Sequence, residues 1–337
     1  MKTDKAPAIA RDSTITEPPP APPLLRHELP AVDDDQLGLL FLTCHPLLSA
    51  EARVAMALKL VGGFSVGEIA RALLSQDAAI AQRMVRAKRQ LRDANVSFGM
   101  PSPRELPERL GSVLDALYLI FNEGYAATAG DQLIRDDVAQ EAIRLARMTA
   151  SHPATSAPRA WALLSLMLLH AARFPARVDS DGTLFLLRDQ DRGKWDHAMI
   201  AEGMLALDRA SAGDAISAFH LEAGIAAVHA AAGSWEATDW PEILDLYDEL
   251  LALTHSPVVA MNRAVAVSRL EGPLSGLAAL DDRKTLERHP LLPAIQAELW
   301  REAGDSERAI TCYRAALGLA RSAPEQRWLT SRLSLLV

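Results

Sequence analysis

The sequence predicts an all-α protein. Its composition is rich in Ala and Leu, 49% hydrophobic yet only 5% aromatic, and its apolar residues recur at helical rather than alternating spacing. At 337 residues the chain has room for two domains of ordinary size, each with its own core.

Residues 1–30 contain seven of the 20 prolines, including the run PPPAPP, and no aromatic residue. Such a segment buries too little apolar surface to offset chain entropy, so 1–32 reads as a disordered tail or linker. From Asp33 the pattern changes to short amphipathic helices at about 35–43, 50–61, 65–74 and 77–94, which together make a first domain over 33–95. Pro101, Pro103 and Pro107 then break the chain, and 95–105 reads as a linker.

Longer helices follow near 106–124, 131–150, 156–172, 193–209, 213–230 and 239–252, and all six tryptophans lie in this second part. A separate helical domain over 105–337 is expected. Within it, ARVDSDGTLFLLRDQDRG places Asp181-Gly182 between short apolar runs, the signal of a small β-hairpin. Its acidic residues lack the spacing of a calcium loop. Towards the C-terminus, Gly304, Ala309, Tyr313 and Ala316, followed by Leu317, match the second-helix half of a tetratricopeptide repeat, where small residues let helices approach closely. Residues 239–337 therefore read as TPR-like, a stack that buries its faces only collectively.

With a net charge of −8, bulk electrostatics do not favour nucleic acid, so any DNA contact needs a local basic patch. One lies in GFSVGEIARALLSQDAAIAQRMVRAKRQLRDA, residues 63–94. Val66, Ile69, Ala70 and Leu73 give one short helix an inner face, and Ile80, Met84, Ala87 and Leu91 form an i, i+4, i+7, i+11 stripe on the next. Two helices joined by a tight turn are implied, with Asp77 as the N-cap of the second. Between Arg71 and Arg92 there are six basic residues and one acidic one, a local net of +5. This is the pattern of a helix-turn-helix, whose second helix enters the major groove while flanking groups hold phosphates. The DNA-binding candidates are Ser65, Arg71, Gln76, Asp77, Gln82, Arg83, Arg86, Lys88 and Arg89. Arginine suits both tasks because its fork is bidentate to guanine or phosphate.

Gly63-Phe64-Ser65, Glu68-Ile69-Ala70 and the run from Arg83 to Leu91-Arg92 resemble region 4 of the sigma-70 family, in particular the extracytoplasmic-function class. The stretches LGLLFLTCHPLLSAEARVAMALKLVGG, LYLIFNEGYAATAGDQLIRDDVAQEAIRLAR, LLSLMLLHAAR, DQDRGKWDHAMIAEG and SPVVAMNRAVAV resemble, in order, the group of these sigma factors with a large helical C-terminal extension. The resemblance spans about 33–337. It implies a bacterial transcription factor that binds the −35 promoter element and the β flap of core RNA polymerase, with a regulatory extension open to a protein or peptide ligand. Region 2, which in that family melts the −10 element, has no counterpart in the Pro-rich residues 1–30. The chain as written is therefore expected to bind −35 duplex weakly and not to open a promoter unaided. The alternative is a TPR-like adaptor or transcription regulator that acts through another initiation factor.

Other chemistry finds little support. Cys44 and Cys312 are the only cysteines, too few for a disulfide framework or zinc cluster, and read as small core residues in a reducing cytoplasm. The N-terminus lacks a secretory pattern, and the longest apolar stretch, Ala160 to Ala172, is interrupted by Ser165 and His170, so a soluble cytoplasmic protein without membrane contact is expected. His170, His197, Glu202, His220 and His229 lack metal-ligand spacing and read as buried, hydrogen-bonded residues. Cys44-His45-Pro46 lacks an orienting third group. Asn122 and Glu123 read as structural capping or a contact with the helix-turn-helix, with Gly124 available for a left-handed cap. No enzyme activity, cofactor or metal is expected.

Overall fold

Serine and aspartate side chains set the helix starts, and the first four helices show how. In the computed structural model, which describes residues 34–73, 75–125, 134–179, 183–213, 215–281, 291–320 and 322–336, α1 (Asp34–Thr43) leads through Ser49 into α2 (Ala50–Leu60). Ser49 Oγ accepts from the Ala52 amide at 3.3 Å. In α3 (Val66–Ala72) Ser65 Oγ accepts from the Glu68 amide at 3.2 Å, and the Glu68 carboxylate accepts from the Ser65 amide at 2.6 Å, a reciprocal capping box.

Four residues, 73–76, connect α3 to α4 (Asp77–Asp93). The expected stripe of Ile80, Met84, Ala87 and Leu91 is buried, and α4 packs on α2 and α3. The inner face of α3 consists of Ile69, Ala70 and Ala72, with Val66 and Leu73 only half-buried. Asp77 is not the N-cap. Gln76 enters extended (φ −91°, ψ 146°) and occupies that position without a side-chain hydrogen bond, so Asp77 is already in the first turn.

Residues 94–105 are irregular and fold back on α1, where a Cβ on Gly38 would lie 3.1 Å from Gly99 Cα. The chain then enters α5 (Leu106–Tyr125), which packs on α1 and α2. Two of its side chains cap what α1 leaves open: Arg109 Nη2 donates to the Phe41 carbonyl at 2.9 Å and Ser112 Oγ to the Cys44 carbonyl at 2.5 Å.

α6 (Asp136–Ser151) crosses α5 at Gly124. Gly124 is therefore not a left-handed cap. It lies within α5, and a Cβ there would meet the Ala139 backbone nitrogen at 2.5 Å. α7 (Pro158–Ala171) is apolar on nearly every side and packs on α5 and α6 as a core helix, while no described helix is long and apolar enough to cross a membrane.

After the single turn α8 (Phe174–Arg177), the expected hairpin shrinks to one antiparallel bridge, Val178 to Leu184, with Asp181 and Gly182 outside the described residues. Among the described residues no ladder extends from it, and Leu187–Asp189 and Arg192–Lys194 take 3₁₀ geometry.

Eight further helices continue the body. α9 (His197–Ala210), capped by Asp196, and α10 (Ala218–Ala231) pack on α7; α11 (Trp240–Thr254), capped by Asp239, and α12 (Pro257–Glu271) follow. α13 (Pro273–Asp281), α14 (Leu292–Glu302), α15 (Ser306–Leu319) and α16 (Ala323–Ser334) each pack on the preceding helix. Gly304 turns the α14–α15 corner at φ +82°, and Ala309, Tyr313 and Ala316 are buried along α15. Among the described residues the chain is all-α, and 33–337 forms one compact unit.

The α5–α6 crossing makes a specific demand on stability. Gly124→Ala forces the backbones apart and is expected to cost about 1–3 kcal/mol. Gly318→Ala, at an exposed α15 position with open space around it, should leave stability unchanged or slightly raised. Thermal melts of the two variants check this; an unchanged midpoint for Gly124→Ala contradicts the crossing.

Candidate nucleic-acid interface and an interior cavity

The buried stripe of α4 dictates what the rest of that helix shows to solvent. Gln82, Arg86 and Arg89 follow one another at i, i+4 and i+7 and share one exposed face. Lys88 and Arg92 are exposed beside them, with Val85 67% exposed between. Arg86 Nε reaches back to the Gln82 carbonyl at 3.4 Å. Arg89 pairs with Asp93 at 3.4 Å, but both side chains are exposed, so the pair holds Arg89 only weakly.

The remaining candidates differ from this face. Arg83 is half-buried and so less open than Gln82, Arg86 and Arg89. Ser65 lies exposed at the α3 N-terminus with its hydroxyl engaged in the capping box. Gln76 is exposed at the start of α4. Asp77 faces back over α3: a Cβ on Gly67 would lie 3.5 Å from Asp77 Oδ2 and 3.8 Å from Arg71 Nη1. Arg71 is exposed, and its carbonyl accepts from Arg135 at the α6 N-cap. Arg135 also donates its own amide to the Gly124 carbonyl at 2.8 Å, so one residue ties α3 to the α5–α6 corner. No local sequence signal marks a contact across 64 positions.

A second site escaped the sequence reading altogether. A cavity of about 740 Å³ opens between α5, α7, α10, α11 and α12. Phe121, Leu166, Ile225, Leu250 and Val259 give it apolar walls; Tyr118, Tyr125, His170, Glu222, His229 and Tyr247 give it polar ones. Tyr118 donates to Glu222 Oε2 at 2.9 Å. Burial raises the Glu222 carboxyl and pushes the Tyr247 phenol up to about 12.

The opposite end is cationic. Arg173 lines the cavity, hydrogen-bonds Gln190 Oε1 at 3.4 Å and lies beside the Tyr125 hydroxyl. Arg177 stacks its guanidinium 3.7 Å from the centre of the Tyr125 ring and donates to the Tyr125 carbonyl. Burial alone would raise the Tyr125 phenol, but Arg173 and Arg177 bring it below its ordinary value. Arg192 donates to the carbonyls of His229 and Ala232.

The histidines only partly match expectation. His220 is hydrogen-bonded as anticipated, its Nδ1 2.8 Å from Ser217 Oγ and its Nε2 3.2 Å from the Ala210 carbonyl. His197 is exposed at the start of α9, and Glu202 pairs with Arg147 at 2.7 Å. His170 and His229 depart from the reading: the Nδ1 of each is sealed from solvent without a hydrogen-bond partner, because the surrounding side chains are aromatic rings and guanidiniums. Burial, then Arg173 and Arg177, holds His170 well below the ordinary histidine value; burial, then Arg173 and Arg192, takes His229 to about 3. Among the described residues no group of three or more His, Cys, Asp or Glu is placed to hold a metal.

These features define a class: an all-helical protein carrying an exposed basic helix on a larger helical body with a cavity open to solvent. Residues 109–211 match the model of a family of unknown function, DUF6596. An uncharacterized protein of Rhizobium meliloti is 39% identical over 302 residues, 89% of this chain and 71% of that protein. The chain belongs to the same family as this relative. No solved structure matches it.

The two neutral histidines link stability to pH. Each folded value lies below the unfolded value of about 6.5, so the unfolded chain binds more protons in the window between them. Their contribution is complete above that unfolded value and is lost as pH falls towards the folded one, which for His229 is about 3. Denaturant titrations from pH 7 to 5 should show stability falling, with His229→Gln removing a slope approaching about 1.4 kcal/mol per pH unit. Parallel curves for the parent and variant contradict the buried neutral imidazole.

Proposed function

We propose that this chain is the promoter-recognition part and regulatory extension of a bacterial RNA polymerase sigma factor of the extracytoplasmic-function type. In this reading α3 and α4 are a helix-turn-helix over the −35 element, and the helices from α5 onwards form an extension that becomes TPR-like from about α11. The observation that carries the reading is the exposed face of α4: Gln82, Arg86 and Arg89 in one row, flanked by Lys88, on a protein of net charge −8.

The chemistry assigns roles along that face. Gln82 and Arg86, nearer the helix start, reach base edges, for which glutamine suits adenine and arginine guanine. Val85 offers an apolar contact to a thymine methyl. Lys88 and Arg89 neutralise phosphates, and Arg71 and Gln76 do so from the connection side. Ser65 contributes through the helix end it caps, Asp77 faces α3, and the half-buried Arg83 is a lesser contact. The same module would dock on the β flap of core polymerase, and the extension would take a protein or peptide partner. Support also comes from the separate motifs that occur in the order of that sigma-factor group.

The test is equilibrium binding of the full chain to short duplex DNA across a salt series. Arg86→Ala with Arg89→Ala should weaken binding and reduce the slope of log K against log salt by up to about two. Their exposure leaves the thermal midpoint nearly unchanged. Unaltered affinity and slope in the double variant contradict α4 as the DNA surface.

A further inference from the structure

No carboxylate forms an ion pair at the cationic end of the cavity, although Glu236 acts electrostatically on Arg192. Arg173 lines it, Arg177 stacks on the lining Tyr125 and Arg192 donates to the carbonyl of the lining His229, and among the described residues none of the three has a carboxylate within 4.0 Å. Their partners are instead neutral: a glutamine oxygen, a phenol and three backbone carbonyls. A cavity-lining guanidinium without an ion-pair partner can take a carboxylate from outside by charge-assisted hydrogen bonds.

The neutral lining fits the same reading. His170 and His229 line it as uncharged rings, which leaves the charge at that end to the arginine. The cavity's own carboxylate, Glu222, sits with Tyr118. Between the two ends lie the side chains of Phe121, Leu166, Ile225 and Val259. A volume of about 740 Å³ falls within the range of small-molecule sites.

We propose that this cavity binds a small organic acid with an apolar body, its carboxylate held by Arg173 and its body against Phe121, Leu166, Ile225 and Val259. Glu222 and Tyr118 meet a polar substituent at the far end. A single cavity-lining guanidinium matches a monoanion, whereas a phosphate would call for more donors at the wall. The inference stands independently of the promoter reading, because no residue of α3 or α4 lines the cavity.

Calorimetric titration of the full chain with indole-3-acetate, 3-phenylpropionate and octanoate tests it, with indole-3-acetamide as the neutral match. At least one acid is expected to bind, and the amide about tenfold more weakly than its acid, the scale of a charged hydrogen bond. Arg173→Gln should remove that preference. Asn262→Trp, an exposed position at the cavity lining, should block entry while leaving the fold intact, so the test survives if the Arg173 variant does not fold. Failure of all three acids to bind at about 10 mM, equal binding of acid and amide, or acid binding unaffected by Asn262→Trp would overturn the proposal.

Discussion

Two hydrogen bonds at the end of α1 hold the basic helix pair to the rest of the molecule. The Phe41 and Cys44 carbonyls would otherwise be stranded in the core, and Arg109 and Ser112 of α5 reach them. Leaving a buried carbonyl unmet costs about 1–3 kcal/mol, more than the net gain of an average hydrogen bond. Packing adds to this junction, since α4 rests on α2 and α2 on α5. Arg135 adds a second tie from α6 to the Arg71 carbonyl. The basic face thus stands on a fixed platform rather than on a tethered module.

Helix α5 serves both sites. One end carries Arg109 and Ser112 against α1, and the other carries Tyr118, Phe121 and Tyr125 into the cavity wall. At its last turn Gly124 lets α6 approach to backbone distance. Residues 109–211, which match the DUF6596 model, begin at Arg109 on this helix and end just past α9. The family match therefore covers both junctions of α5, though not α10 to α12, which complete the cavity.

What was legible in the sequence was what repeats within a few turns of one helix. Ile80, Met84, Ala87 and Leu91 predicted both α4 and its buried face, because spacing along a helix fixes direction. Ala309, Tyr313 and Ala316 did the same for α15. Local signals failed where a distant partner decides. Gly124 near a helix end reads like a cap, yet its partner is Ala139 on the next helix. Asp77 reads like an N-cap, but the chain enters α4 one residue earlier. Arg83 lies within the basic run, and only the packing of α4 leaves it half-buried while Arg86 and Arg89 stay exposed. The cavity was invisible for the same reason: Tyr118, His170, Glu222 and Tyr247 come from four helices, and no window contains two of them.

In the proposed reading the acidic body repels DNA everywhere except along α4, which favours one docking orientation. Selection of random duplexes by the full chain together with core RNA polymerase tests that claim most directly. The account predicts enrichment of one short motif, lost when Gln82 and Arg86 are replaced by alanine. Absence of any enriched motif, or enrichment of the same motif by that variant, would contradict it.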